Sequence, residues 1–161
     1  MIAATPNDVR VQILKPSRKA PKTGDIFALQ LSDGRYFHGR VVDDQAAILG
    51  ASGLVAIVIA ASGHSNKTPV PSLNFDKLLV QPMFTNRLPW SRGYFETISN
   101  APLLPGHVPE HSFKDFRDDY YDTRGNKLDG PRGIVAKRSL NSFKTIDAHI
   151  AVALGLPISR D

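Results

Sequence analysis

The sequence reads Asp25-Ile-Phe-Ala-Leu-Gln-Leu-Ser-Asp-Gly-Arg-Tyr-Phe-His-Gly-Arg-Val-Val42 at the point that decides its fold. Two runs rich in apolar residues flank Asp33-Gly34, a pair favoured in two-residue type I′ turns because both central residues there have positive φ angles. The stretch therefore predicts a β-hairpin. The turn would also set the pairing of the two strands. The predicted pairs are Leu31 with Tyr36, Leu29 with His38, Phe27 with Arg40 and Ile26 with Val41.

In this register both faces of the hairpin carry apolar side chains. One face collects Ile26, Ala28, Phe37, Gly39 and Val41, and the other collects Phe27, Leu29, Leu31, Tyr36, His38 and Arg40. A ribbon covered on both sides is typical of a small curled antiparallel sheet or of an SH3-like barrel. Further strands are predicted at Leu54–Ala60, at Leu78–Phe84 and within Trp90–Ile98.

The last periodic segment predicts a helix. Ile146, Ile150 and Leu154 recur every four residues, so they lie on one stripe that can pack on the sheet. Thr145 is the predicted N-cap, and Gly155 with Pro157 ends the helix. The fold class predicted is mainly β (α+β), with a C-terminal helix packed on the sheet.

The positive charge of the chain is concentrated near its start. The whole chain of 161 residues has a net charge of +5, and residues 1–23 hold five Lys or Arg residues against one Asp. We predict a flexible basic leader at 1–23 and a single β-rich domain at 24–161. The leader is interpreted either as a solvated arm or as a segment that contacts an anionic partner.

Composition excludes several classes of chemistry. The chain has no cysteine, which removes disulfides, thiolate metal sites and thiol nucleophiles and suits the reducing cytoplasm. It begins without the basic and apolar regions of a secretory signal, and no apolar run approaches the ~20 residues of a membrane-spanning helix. No nucleotide-binding or hydrolase motif is present. We therefore predict a cytoplasmic protein that is not an enzyme and has no cofactor.

One motif has the spacing of a metal site. His107-Val-Pro-Glu-His111 places two imidazoles and a carboxylate within five residues, but Pro109 prevents the regular helical face on which such ligands converge. No metal is predicted there. The surrounding region, from Asn100 to Gly133, is dense in Pro, Gly, Asp and Asn and predicts long irregular loops.

Three groups of residues are candidates for binding a partner, since aromatic residues, Arg and acidic loops are frequent at protein interfaces. They are Tyr36, His38 and Arg40; Trp90, Arg92 and Tyr94; and Asp118, Asp119, Tyr120 and Tyr121. Each group has a structural alternative. His38 can be a hydrogen-bonded structural residue, Trp90 can belong to the core, and the aspartates can form a solvated loop.

Two blocks of the sequence resemble the immunity protein 26 family. Residues 22–42 contain a Gly-Asp-hydrophobic-Phe strand that leads through Asp-Gly to a Tyr and a Gly-x-Val strand. Residues 79–95, Leu-Val-Gln-Pro-Met-Phe-Thr-Asn-Arg-Leu-Pro-Trp-Ser-Arg-Gly-Tyr-Phe, resemble a later segment in which a Trp precedes a Gly-aromatic pair. Together the blocks cover about a quarter of the chain, with the terminal helix as a weaker third match.

The resemblance implies a bacterial immunity protein that binds and neutralises a cognate toxin domain without covalent chemistry. No catalytic residues are implied. The alternative is a nucleic-acid-binding small barrel, which the net charge and the aromatic candidates Tyr36, Phe37 and Trp90 favour. Both alternatives require a partner macromolecule, and the oligomeric state is left open.

Overall fold

The computed structural model describes residues 11–48, 50–68 and 73–156. These residues form ten strands and two helices. In chain order the elements are β1 (Asp25–Gln30), β2 (Tyr36–Ile48), β3 (Ala51–Ile59), β4 (Met83–Thr85), α1 (Leu88–Ser91), β5 (Glu96–Asn100), β6 (His111–Lys114), β7 (Tyr120–Tyr121), β8 (Lys127–Leu128), β9 (Ile134–Lys137), β10 (Leu140–Asn141) and α2 (Phe143–Leu154). The mainly β prediction with a C-terminal helix is confirmed.

The predicted β1–β2 hairpin is present, but its predicted register is wrong by one residue. Gln30 pairs with Tyr36, Ala28 with His38, and Ile26 with Arg40. The loop is one residue longer than predicted, because the N–H of Leu31 donates to the carbonyl of Arg35 at 2.9 Å and the N–H of Gly34 donates to the carbonyl of Leu31 at 2.9 Å. Gly34 has φ of 92°, the left-handed residue that closes three-residue hairpin loops.

The one-residue shift places Tyr36, His38 and Arg40 on the face opposite the main hydrophobic core. One face now holds Phe27, Leu29, Leu31, Phe37 and Val41, all of which belong to the main hydrophobic core. The opposite face holds Ile26, Ala28, Tyr36, His38 and Arg40. Because side chains alternate along a strand, a shift of one residue moves the side chains of β2 to the opposite face relative to those of β1.

The larger sheet is open. Its strand order is β10-β4-β3-β2-β1-β5, so β10 and β5 lie at opposite edges. The β10–β4 pair is parallel and the other pairs are antiparallel. The curled-sheet prediction fits this arrangement, whereas the SH3-like barrel is wrong because the two edge strands do not pair with each other among the described residues.

A second sheet occupies the region for which long irregular loops were predicted. It has the order β8-β7-β6-β9, with a parallel β6–β9 pair. The prediction was wrong because these strands are only two to four residues long and give no periodic signal. Phe113 of this sheet packs against Phe84 of the larger sheet, with ring centroids 4.2 Å apart.

The terminal helix α2 packs on the main core, as predicted. Ile146 and Ile150 are buried there, and Leu154 is partly buried against them. Gly155 ends the helix in the left-handed conformation, with φ of 69°. The predicted N-cap is wrong: the N-cap is Ser142, three residues earlier, and its hydroxyl accepts the N–H of Thr145 at 3.3 Å.

Part of the predicted basic leader contacts the domain. The N–H of Val11 donates to Oδ1 of Asp147 at 2.9 Å, and the N–H of Leu14 donates to the carbonyl of Gly93 at 2.7 Å. Residues 1–10 lie outside the described residues, so the boundary at Gly24 stays a prediction. Within the described part of the chain, no helix is long and apolar enough to cross a membrane.

Candidate partner-binding surface

The first predicted group, Tyr36, His38 and Arg40, lies on one face of β2, but only Tyr36 is partly exposed. His38 and Arg40 are buried. Nη2 of Arg40 donates to the carbonyls of Ala101 and Pro102 at 2.7 and 3.1 Å. Arg40 therefore ties the segment after β5 to the sheet rather than reaching solvent, and burial lowers the pKa of its guanidinium.

His107 supports the same contact. Nη1 of Arg40 lies 3.2 Å from Nδ1 of His107, which also accepts the N–H of Leu104 at 3.2 Å. Nδ1 is thus an acceptor, which assigns the ring proton to Nε2. His111 instead contacts the carbonyl of Pro109 through its own Nδ1, at 2.8 Å. No cluster of three or more potential metal ligands occurs among the described residues.

His38 is held as a neutral imidazole. Its Nε2 lies 2.6 Å from the carbonyl of Lys67, so Nε2 carries the proton and donates it. Burial lowers the pKa of His38 and the neighbouring His64 lowers it further, whereas the Lys67 carbonyl opposes the shift. The folded protein therefore binds a proton at His38 less readily than the unfolded chain does.

This shift predicts acid sensitivity. Stability from the neutral His38 is present above its unfolded pKa of about 6.5 and is lost as pH falls through the lower folded pKa. We expect the free energy of unfolding to fall from about pH 7 to pH 5, by at most ~1.4 kcal/mol per pH unit for this one proton. Urea denaturation at several pH values measures it.

The matched variants are His38→Gln, whose amide can still donate to Lys67, and His149→Gln, which alters an exposed histidine. His38→Gln should flatten the dependence on pH, and His149→Gln should preserve it. Asp43 and Asp122 also have pKa values below their usual range, because hydrogen bonds outweigh the opposing effect of burial. These two aspartates affect the free energy of unfolding only below about pH 4, outside the pH range of the His38 test. An unchanged slope in His38→Gln would contradict the assignment.

The second predicted group is divided by the structure. Trp90 is 1% exposed, with its ring 5.3 Å from that of Phe27 and 5.1 Å from that of Phe95. It therefore cannot touch a partner in this conformation. Arg92 is exposed and lies over the ring of Phe143 at 5.8 Å, and Tyr94 stacks on the same ring at 4.5 Å.

The third predicted group lies on the β6–β7 hairpin. Asp118 pairs with Lys114 at 3.2 Å, and Asp119 pairs with Lys127 at 3.5 Å. Tyr120 and Tyr121 are partly exposed, and the guanidinium of Arg138 lies 3.7 Å from the ring centroid of Tyr121. The acidic residues are therefore partly neutralised by adjacent bases.

Phe116, at the tip of the same hairpin, was missed. It is 85% exposed, the most exposed large apolar residue described. Its turn is held by Asp115, whose Oδ1 accepts the N–H of Arg117 at 2.9 Å and that of Asp119 at 3.0 Å. Charged neighbours on both sides of Phe116 were the available signal. An exposed aromatic side chain on a hydrogen-bonded turn is suited to fill a pocket on a partner.

A groove runs beside this hairpin. One cavity of about 490 Å³ lies between α2 and the segment 78–83, and another of about 520 Å³ lies between β9 and Phe116. Gln81 and Lys137 line both cavities, which therefore lie next to each other. We call this feature the β9 groove. Sequence patterns cannot reveal it, because Gln81 and Lys137, which line both of its cavities, are more than fifty residues apart in the chain.

The fold and this surface define a β-rich α+β protein whose groove has room for a segment of another chain. The protein belongs to the immunity protein 26 family, since the sequence profile of that family matches residues 22–124, more than half of the chain. Members of this family are generally not enzymes. No curated protein and no solved structure shows a significant match.

Proposed function

We propose that this protein is a cytoplasmic immunity protein that binds a cognate bacterial toxin domain and neutralises it by non-covalent contact. Membership of the immunity protein 26 family carries the proposal. The role requires a rigid scaffold that presents a complementary surface. The large buried core of the open sheet is suited to that task, and it leaves the smaller sheet and the β9 groove accessible.

The exposed residues favour the smaller sheet as the contact region. Phe116 supplies an apolar anchor, and Tyr120 and Tyr121 add partly exposed aromatic area beside it. Asp118 and Asp119 add negatively charged groups on the same hairpin as Phe116. Apolar anchors within a polar rim are the usual arrangement of hot spots at protein interfaces. His38, Arg40 and Trp90 are buried elsewhere in the fold and are not part of this surface.

The nucleic-acid alternative loses two of its three aromatic candidates, and only Tyr36 of the three is partly exposed. Phe37 and Trp90 are buried, so they cannot stack on bases. Arg40 is buried too, and Arg35 pairs with Asp33 at 2.9 Å. The described surface therefore favours a protein partner.

The direct test is co-expression with the C-terminal domain of a large secreted protein encoded next to this gene. We expect the toxin domain alone to stop growth, and co-expression of this protein to restore growth and to give a complex that co-purifies. A toxin domain that remains toxic and unbound would contradict the proposal for that pair.

Phe116→Ala tests the contact surface. We expect it to weaken binding of the toxin domain by about 30-fold, the effect of removing one aromatic hot spot of ~2 kcal/mol. Because Phe116 is exposed, the free energy of unfolding should change by less than ~0.5 kcal/mol. Calorimetric titration and urea denaturation measure the two quantities.

The matched control is Leu104→Ala, which removes another exposed apolar side chain from outside the groove. It should leave affinity within about threefold of the wild type. Full affinity in Phe116→Ala, combined with weak binding in Leu104→Ala, would move the contact surface to the segment after β5.

A further inference from the structure

Strand β9 forms an edge of the smaller sheet. It pairs with β6 on one side, and none of the strands among the described residues pairs with its other side. The N–H of Ile134 donates to the carbonyl of Glu110 at 2.8 Å, and the N–H of Arg138 donates to that of Lys114 at 2.9 Å. Backbone groups alternate along a strand, so those of Val135 and Lys137 point away from β6.

These outward N–H and carbonyl groups are placed where a further β-strand would form hydrogen bonds with β9. The carbonyl of Lys137 already accepts the N–H of Ser139 at 3.1 Å. The N–H and carbonyl of Val135 and the N–H of Lys137 then remain on the outer edge. Exposed edges of this kind template the addition of an extended segment from another chain.

The β9 groove opens along this edge. Val135, Ala136 and Lys137 line it together with Gln81. The neighbouring cavity beside α2, which shares Gln81 and Lys137, adds apolar surface from Met83 and Val152. An extended segment lying in the groove could therefore pair with β9 and bury alternate side chains against apolar walls.

The charge of the groove defines the chemistry of its occupant. Lys114, Lys137 and Arg138 line the part next to β9, against the single carboxylate of Asp115. Lys114 already pairs with Asp118. Nε and Nη1 of Arg138 are buried and have no hydrogen-bond partner among the described residues. A segment with acidic side chains is therefore favoured over a basic or neutral one.

We propose that an extended, acidic segment of the toxin domain adds to β9 as a further strand, with its carboxylates next to Lys137 and Arg138. This inference rests on the proposed function, because it names how the toxin is held. It assigns the contact to the edge of the smaller sheet and to backbone hydrogen bonds, in addition to the Phe116 anchor.

Two variants at Val135 test the backbone pairing. Val135→Pro removes the outward N–H, and proline is tolerated on edge strands where the N–H faces away from the ladder. Val135→Ala shortens the same side chain but keeps the N–H. We expect Val135→Pro to bind the toxin domain about tenfold more weakly than Val135→Ala does, the effect of one lost hydrogen bond. Circular dichroism checks that both variants fold.

Charge reversal tests the acidic occupant. Lys137→Glu is expected to weaken binding at least tenfold, and Lys137→Glu with Arg138→Glu about 100-fold, because like charges face each other across the interface. Arg35→Glu, a change of the same sign on the β1–β2 loop, should leave affinity within about threefold. Arg138 stacks on Tyr121, so its replacement could disturb the fold. The single Lys137→Glu variant leaves Arg138 in place and tests the charge without that risk.

Amide hydrogen exchange, followed by NMR, completes the test. The amides of Val135 and Lys137 should exchange rapidly in the free protein and at least tenfold more slowly in the complex. Protection in the free protein would overturn the inference, since the edge would already be occupied. Wild-type binding that survives Val135→Pro and the double reversal would overturn it while the proposed function stands. Failure of the wild type to bind would overturn both.

Discussion

Trp90→Ala is expected to lower the free energy of unfolding by about 3–5 kcal/mol, the usual cost of removing a large aromatic side chain from a core. The indole packs edge-on against Phe27 and Phe95, whose own rings stack at 4.5 Å. Its removal leaves a cavity next to two aromatic rings, and the carbonyl of Trp90 also accepts the N–H of Ser17 at 3.0 Å. We therefore expect the N-terminal contact to loosen as well.

Urea denaturation followed by circular dichroism measures this loss, because Trp90 is the only tryptophan and its fluorescence disappears with it. Leu88→Ala is the matched control, since Leu88 is an exposed residue of the same short helix, and it should cost less than ~0.5 kcal/mol. Unchanged stability with loss of toxin binding would instead make Trp90 a contact residue and contradict its place in the core.

The hairpin shows how far local sequence rules reach. Apolar alternation and Asp33-Gly34 were enough to locate β1 and β2. The exact pairing depended on whether one or two residues precede Gly34 inside the loop, and both loop types accept an Asp-Gly pair. The face assignment was therefore wrong, although the alternative register, which removes Tyr36, His38 and Arg40 from the face of Phe27 and Leu29, could have indicated the error.

Gly39 illustrates a constraint that only the packed structure reveals. A Cβ atom at this position would overlap the ring of Phe27, which lies directly across the hairpin. The glycine allows this ring to cross the strand and reach Trp90. The Gly-x-Val pattern in the family resemblance thus has a packing reason, which neither propensity nor periodicity supplies.

The candidate site was less predictable, because burial rather than residue type decides which side chains a partner can reach. His38, Arg40 and Trp90 have the chemistry of interface residues but are buried. Phe116 has the chemistry of a core residue but is exposed at a turn that Asp115 holds by accepting the N–H of Arg117. The β9 groove depends on parallel pairing between segments about twenty residues apart, which short strands do not signal.

Phe113→Ala is expected to cost about 3–5 kcal/mol of unfolding free energy and to remove toxin binding as well. Phe113 is completely buried and joins the two sheets. Its cluster contains Ala46, Leu54, Ala56 and Phe84 from the larger sheet and Ala136 from β9. Strands of two to four residues have little stability by themselves, so the smaller sheet depends on this contact.

The loss should therefore be local. We expect amides in residues 111–137 to exchange faster in Phe113→Ala, while amides of β1, β2 and β3 keep most of their protection. Because the smaller sheet carries both Phe116 and the β9 edge, binding of the toxin domain should fall by at least 100-fold, as measured by calorimetric titration.

Phe116→Ala is the matched control, since it removes the same side chain from the same hairpin but from an exposed position. It should weaken binding without changing amide exchange or stability. A Phe113→Ala variant that is destabilised throughout the chain would show that the sheets unfold as one unit. Undiminished toxin binding by a Phe113→Ala protein with an unfolded smaller sheet would place the contact surface elsewhere. The candidates are then the exposed Arg92 and the partly exposed Tyr94, which lie between α1 and β5.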